Sequence, residues 1–398
     1  MLIDLMRTPD TVERDRFERL GPDGRDALAA LAHQHRCAPY LAYALDRRGD
    51  VDMPDSLRVI RDRSVFQALK IGRECVQIHE MFVDAGIAHV FLKGVPLAFR
   101  DYPASWMRPM RDIDVLIEPE RLHDAYALLH DKGGSLDRFA HVPPDIVEDG
   151  KHLPPIHSPN RILPVELHYR MISPKVSLPS TVLQSIEQDV WEARNVVHVG
   201  KAELPVPRTE LLLAHLIVHG MLDHELNNGP LFITDIVQFM RSNQLDRAKW
   251  DRVVERFHLR PAVELAASIL PPNERSGLGV KAPARGMLDD EMVRALMFQP
   301  ARFRSQIKVL ASLSDEAVAD RALLVWSKIF ASRTALKGQW LVEGNEPGKE
   351  PRNTAVFWLW YLSVKIRQFF RTRTAGEELA LQSLRGFRAK LTHHSREN

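Results

Sequence analysis

FLKGVPLAFRDYPASWMRPMRDIDVLIEP, residues 91–119, holds two β-like runs separated by a turn, a short helical segment and a polar loop. The first run begins upstream at Ile87, is rich in β-formers and stops abruptly at Lys93-Gly94, as a buried strand does. Val95 to Arg100 then suits a short helix, with Pro96 in the first turn, where its missing N–H costs little. Tyr102-Pro103 closes it. From Arg111 to Ile117 the residues alternate: Asp112 and Asp114 face one way, and Ile113, Val115 and Ile117 the other.

Two acids on one face of a strand lie roughly 6 to 7 Å apart at the backbone, close enough to reach one metal. Half-buried, they repel each other, and a cation removes that cost. Magnesium takes oxygen ligands, and two ions about 3.5 to 4 Å apart serve phosphoryl transfer. A solvent-facing D-x-D on an edge strand is the plainer reading of the acids alone. Position favours the metal: Leu92-Lys93-Gly94 ends a strand and opens a helix, a context that binds phosphate. Gly94 permits close approach there, and Lys93 adds a compact positive charge.

Downstream, Pro119 to Gly133 has helical spacing and ends at the Gly133-Gly134 pair. His141 to Asn160, rich in Pro, Asp and His, reads as a loop or lid. Leu163 to Tyr169 alternates again, with Pro164 marking a strand start or an edge, so Glu166 and His168 share a face opposite Val165 and Leu167. Upstream, helices are expected in the first twenty residues, over Arg25 to Arg47 with an interruption near Pro39, and from about Leu57 to Ala85 with Gly86 as a left-handed cap. From Thr209 onward the pattern is almost entirely helical, with breaks at Asn227 to Pro230, Pro271-Pro272, Pro300 and Gly344 to Arg352.

Fifty-four Lys and Arg against 52 Asp and Glu leave a net charge of +2, too little for sequence-independent binding to DNA across the surface. Cys37 and Cys75 have no CxxC spacing, which argues against a disulfide framework or a zinc ribbon and fits a reducing cytoplasm. No secretory signal is apparent, and no apolar run reaches the roughly 18 to 20 residues of a transmembrane segment. The final aromatic and basic stretch, Trp358, Trp360 and Tyr361 followed by Lys365, Arg367, Arg371 and Arg373, reads as a packing helix with a basic solvated end.

The stretch from Phe91 to Pro119 resembles the signature of bacterial nucleotidyltransferases related to the DNA polymerase beta superfamily, in the group described as uncharacterised nucleotidyltransferases. L-K-G at the turn and an arginine before the first acid match habits of that group in Lys93, Gly94 and Arg111. V-E-L-H-Y-R (Val165 to Arg170) is similar to its third-acid strand, and LLLAHLIVHG (Leu211 to Gly220) to the helix that packs beside the nucleotide. The resemblance implies Asp112, Asp114 and Glu166 as catalytic ligands of two Mg2+ ions, with Mn2+ possible, and ATP or another NTP as substrate. It implies Lys93 and Gly94 at the β and γ phosphates, Arg111 among the nucleotide-binding residues, and His219 in support. Arg108 and Arg111 flank the D-x-D strand and can grip triphosphate oxygens bidentately; His168 should lie beside the metals. If Glu166 is not the third ligand, Asp145 and Glu148 in the preceding loop come next.

His215, His219 and Asp223 recur at four-residue spacing with His224 adjacent, a pattern able to hold zinc; the lack of H-E-x-x-H and of nearby cysteine argues against it. Asp235 reads as an N-terminal helix residue. The expected fold is α+β: a helical segment over 1–85, a nucleotidyltransferase core with a small mixed sheet over 86–208, and a mostly helical region over 209–398. The expected activity is transfer of a nucleoside monophosphate from an NTP to an acceptor hydroxyl or phosphate on a small molecule, sugar, peptide or RNA. A catalytically weak nucleotide-binding protein and a toxin-type enzyme acting on RNA or protein are the alternatives.

Overall fold

The computed structural model describes residues 1–8, 14–136, 150–176, 178–280, 288–299, 303–304, 306–308, 310–311, 336, 340, 349–370 and 373–394. Among these, five helices precede the first strand: α1 (Leu2–Arg7), α2 (Arg14–Glu18), α3 (Gly21–Gln34), α4 (Ala38–Arg48) and α5 (Asp55–Asp84). The interruption expected near Pro39 falls at residues 35–37 instead, and Pro39 sits in the first turn of α4, where proline is tolerated. Arg36 turns that corner at φ 64°. Gly86 ends α5 at φ 63°, and the Ile87 N–H reaches back to the Phe82 carbonyl at 2.8 Å.

Strands β1 (His89–Phe91), β2 (Ile113–Ile117), β3 (Ile156–His157) and β4 (Pro164–His168) form one mixed sheet in the order β1-β2-β4-β3. β2 runs parallel to β4 and antiparallel to β1. Between β2 and the short β3, helix α7 (Leu122–Gly133) crosses over. Helix α8 (Ser180–Glu192) and a separate hairpin, β5 (Arg194–Val199) with β6 (Ala202–Pro207), follow β4. The sequence reading assigned neither the hairpin nor β3. Of the loop or lid expected over His141 to Asn160, residues 141–149 lie outside the described ones, as do Asp145, Glu148 and Pro300, and residues 150–160 include β3.

Strand alternation divides the side chains between two cores. Phe91, Ile113, Val115, Ile117, Val165 and Leu167 pack with α5, α7 and the hairpin. Val90, Leu92 and Leu116, on the other face, join a second core shared with the N-terminal helices and with α9 (Thr209–Ile217), α10 (Leu231–Ser242), α11 (Arg247–Arg256) and α12 (Arg260–Ser268). The sheet is therefore covered on both faces, and every residue of β2 is buried. Near the C-terminus, Phe357 and Tyr361 are buried with Leu336, against Trp340, Trp358 and Trp360, the packing expected of that helix. No helix of the described residues is long and apolar enough to cross a membrane.

Two buried histidines make this packing sensitive to acid. The Nδ1–H of His89 donates to the Ile87 carbonyl at 2.9 Å, so its Nε2 accepts from His79 Nδ1 at 2.9 Å and the ring is neutral. Burial lowers the pKa of His89 to about 4; burial, then the Arg304 and Arg36 charges, do the same for His35. Unfolded, both titrate near 6.5. Between these values the unfolded chain binds more protons than the folded one. Stability is therefore complete above about pH 6.5 and falls as pH drops toward 4. Urea midpoints measured from pH 7 to 4.5 should decline over this window; a flat profile would contradict neutral burial of both rings.

Candidate active site

The carboxylates sit on the face of the sheet turned toward the C-terminal helices. Parallel pairing sets Asp114 opposite Glu166, and Leu116 opposite His168, one strand spacing apart. Asp112 lies at the entry to β2, next to them. Asp114 Oδ1 accepts from Lys93 Nζ at 2.6 Å and from His168 Nε2 at 2.8 Å. An ionised carboxylate only accepts, so His168 carries its hydrogen on Nε2. His168 Nε2 and His152 Nε2 each lie 3.6 Å from Glu166 Oε2.

Burial opposes the charge on Asp114, but Lys93 and His168 together hold its carboxyl well below the usual range. Asp112 goes the other way. Burial, then the charges of Asp114 and Glu166, raise it to about 6 despite Lys93 and Arg108. One wall of the site thus concentrates negative charge that the protein does not fully neutralise.

Lys93 holds an unusual backbone conformation, φ 44° and ψ −99°, which aims its side chain back across β2 at Asp114. A Cβ on Gly94 would stand 2.8 Å from Met110 Sδ and 3.0 Å from Arg108 Nη1, so those side chains would have to shift to admit one. The chain continues as α6 (Gly94–Pro96) and a π turn, Leu97–Asp101. Arg108 is anchored from the C-terminal half: its Nε and Nη2 donate to Asp235 at 2.9 and 3.0 Å, and the Tyr102 hydroxyl donates to the same carboxylate at 2.7 Å. Asp235 is therefore not the N-terminal residue expected of α10. It is the fifth residue of that helix, buried, and it positions Arg108.

A cavity of about 360 Å3 opens between these walls, a size suited to a small-molecule ligand. Asp112, Asp114, Glu166, Lys93, Gly94, Arg108, Arg111 and His219 all line it, together with Arg36, Lys151 and His152, which the sequence did not single out. His168 does not. Expected beside the metals, it is fully buried next to Asp114 and Glu166 and acts on the site through the Asp114 carboxylate.

The roof is α9, which runs into a π turn, Val218–Asp223. Gly220 in that turn lies against Phe232 of α10; a Cβ would come within 2.3 Å of the ring. The wider turn, closed by the His224 N–H to the His219 carbonyl, carries His224 to the face of His219, where α-helical spacing would separate them. Their rings meet at 4.3 Å between centroids. Lys151 Nζ lies 2.7 Å from Asp223 Oδ2 and His219 Nδ1 3.4 Å from it.

Two groups among the described residues bring possible metal-ligand atoms within 4.8 Å of one another: Asp114, Glu166 and His168, and His219, Asp223 and His224. In the second, Lys151 already neutralises the only carboxylate. The first adjoins Asp112, and its oxygen-rich donor set with surplus negative charge fits a hard divalent cation.

No curated protein and no solved structure matches the chain. One family model does, over residues 22–271, which include every cavity residue named above. With well over half its length matched, the chain belongs to the uncharacterised nucleotidyltransferase family.

Proposed function

We propose that the protein transfers a nucleoside monophosphate from ATP or another NTP to an acceptor hydroxyl or phosphate, releasing pyrophosphate, on a catalytic core of the polymerase beta type. The observation that carries this reading is the register of β2 and β4, which pairs Asp114 with Glu166 across parallel strands at a cavity whose opposite rim is cationic. Asp112, Asp114 and Glu166 would hold two Mg2+ ions, with Mn2+ as a substitute. Such ions, when bound, neutralise charge that develops on the attacking and leaving oxygens in phosphoryl transfer.

The chain's own groups divide the remaining work. Arg111 lines the cavity beside the Gly94 turn with a guanidinium suited to bidentate contact with a phosphate, while Arg108, held by Asp235 through Nε and Nη2, has only Nη1 left to offer. His168 orients Asp114 from below. His152 and His219 line the same cavity as Glu166, where an acceptor of the small-molecule, sugar, peptide or RNA class would enter. The Lys93–Asp114 contact favours a second reading, a nucleotide-binding protein of weak activity in which the lysine permanently replaces a metal.

Magnesium-dependent pyrophosphate release separates the two readings. Binding provides an earlier test. Asp112, Asp114 and Glu166 would face a triphosphate with like charge, so ATP should bind weakly in EDTA and far more tightly with magnesium. Calorimetry giving equal affinity in both conditions would remove the metal-bridged site.

A further inference from the structure

The ammonium group of Lys93 is committed to Asp114, and Arg108 is tied to Asp235 through two of its three nitrogens. Neither is free to carry the full charge of a polyphosphate chain. Two other arginines at the cavity have no acid within ion-pair distance among the described residues: Arg36, at the corner between α3 and α4, and Arg111, just before the D-x-D strand. Arg36 makes one long contact, from Nη2 to the Asn228 carbonyl at 3.3 Å. Arg111 is exposed on the rim and makes no hydrogen bond or ion pair among the described residues.

We infer that Arg36 and Arg111 form the seat for the β and γ phosphates of the substrate, so that the N-terminal helical segment completes the nucleotide site. Three observations lead there. Arg36 comes from a helical corner far from the D-x-D strand in sequence, yet it lines the same cavity as Asp112 and Gly94. The two guanidinium groups meet as like charges: burial, then Arg111 and Arg108, lower the pKa of Arg36 to about 10. Arg304, which does not line the cavity and is held by His35 and the Met297 and Gln299 carbonyls, also feels the Arg111 charge, after burial, as a lowering of its pKa. Arg36 and Arg111, which pair with no acid among the described residues, are compensated when a multiply charged anion enters. A phosphate chain reaching from the carboxylates to this corner has that charge.

The inference rests on the nucleotidyl-transfer reading for the identity of the anion, and inorganic triphosphate lets the two fail separately. Affinity for inorganic triphosphate with magnesium should drop at least tenfold in Arg36→Met and likewise in Arg111→Met, with Mn2+ binding in the absence of phosphate unchanged. Arg111 has no partner to lose, so its variant tests the seat even if Arg36→Met folds poorly. Both variants binding triphosphate as the wild type does, or a wild type that binds none, would overturn the seat. Seat variants that lose triphosphate, in a protein that never releases pyrophosphate from any NTP, would instead leave the seat standing and remove the transfer reading.

Discussion

Glu166→Gln is expected to slow nucleotidyl transfer by at least about a hundredfold, roughly 2.7 kcal/mol of transition-state stabilisation, while ATP affinity changes little. Glutamine keeps the size of the side chain on β4 and removes its charge, so the loss is electrostatic. ATP binding survives because the aspartates would still hold the ion that accompanies the nucleotide. Asp112→Asn is the control and should damage both rate and binding. Single-turnover rates with an identified acceptor are the measurement. An unchanged rate for Glu166→Gln would move the third ligand to another acid, Asp145 or Glu148 first.

Asp235→Ala should cost about 3 to 5 kcal/mol of stability, because it leaves the buried Arg108 guanidinium without the carboxylate that it pairs with among the described residues and strands the Tyr102 hydroxyl. Asp235 and Arg108 are only 9 % and 14 % exposed at their side chains, so solvent cannot replace the lost contacts fully. Urea unfolding of the single variant and of Asp235→Ala with Arg108→Met separates the causes. Removing both partners should recover part of the loss, since the unpaired charge goes with the arginine. A loss below 1 kcal/mol in the single variant would mean that the brace contributes little. Arg108 Nη1 borders Gly94, so the same substitution should also loosen the turn next to the proposed phosphate seat.

Much of the catalytic face could be read from local pattern. D-x-D alternation places Asp114 opposite the core-facing Ile113 and Val115, and V-E-L-H does the same for Glu166; neither needs tertiary information. The α+β architecture and the helices on both sides of the sheet followed from periodicity in the same way. The hairpin of β5 and β6 had a signal that went unread: Asn195 to Val199 and Glu203 to Val206 are β-rich runs about Gly200, whose φ is 63°. The π turns had none, because helical spacing is judged against 3.6 residues, and the wider closures, Tyr102 N–H to the Leu97 carbonyl and His224 N–H to the His219 carbonyl, are tertiary facts. Partnerships across the chain were also hidden. Arg108 and Asp235 are 127 residues apart, and nothing around R-C-A-P at residues 36–39 marks Arg36 as a cavity residue.

The double coverage of β2 bears on how the site arises during synthesis. Every acid proposed to bind metal is translated by Glu166, yet the roof over those acids, α9 and α10, lies between residues 209 and 242. Until that roof leaves the ribosome, the face that carries Asp112, Asp114 and Glu166 has only the N-terminal share of its core, and Arg108 lacks Asp235. A nascent chain at that stage has its carboxylates but no cavity to place a substrate. Completion of the candidate site and burial of the second core therefore come together, since both wait for α9 and α10.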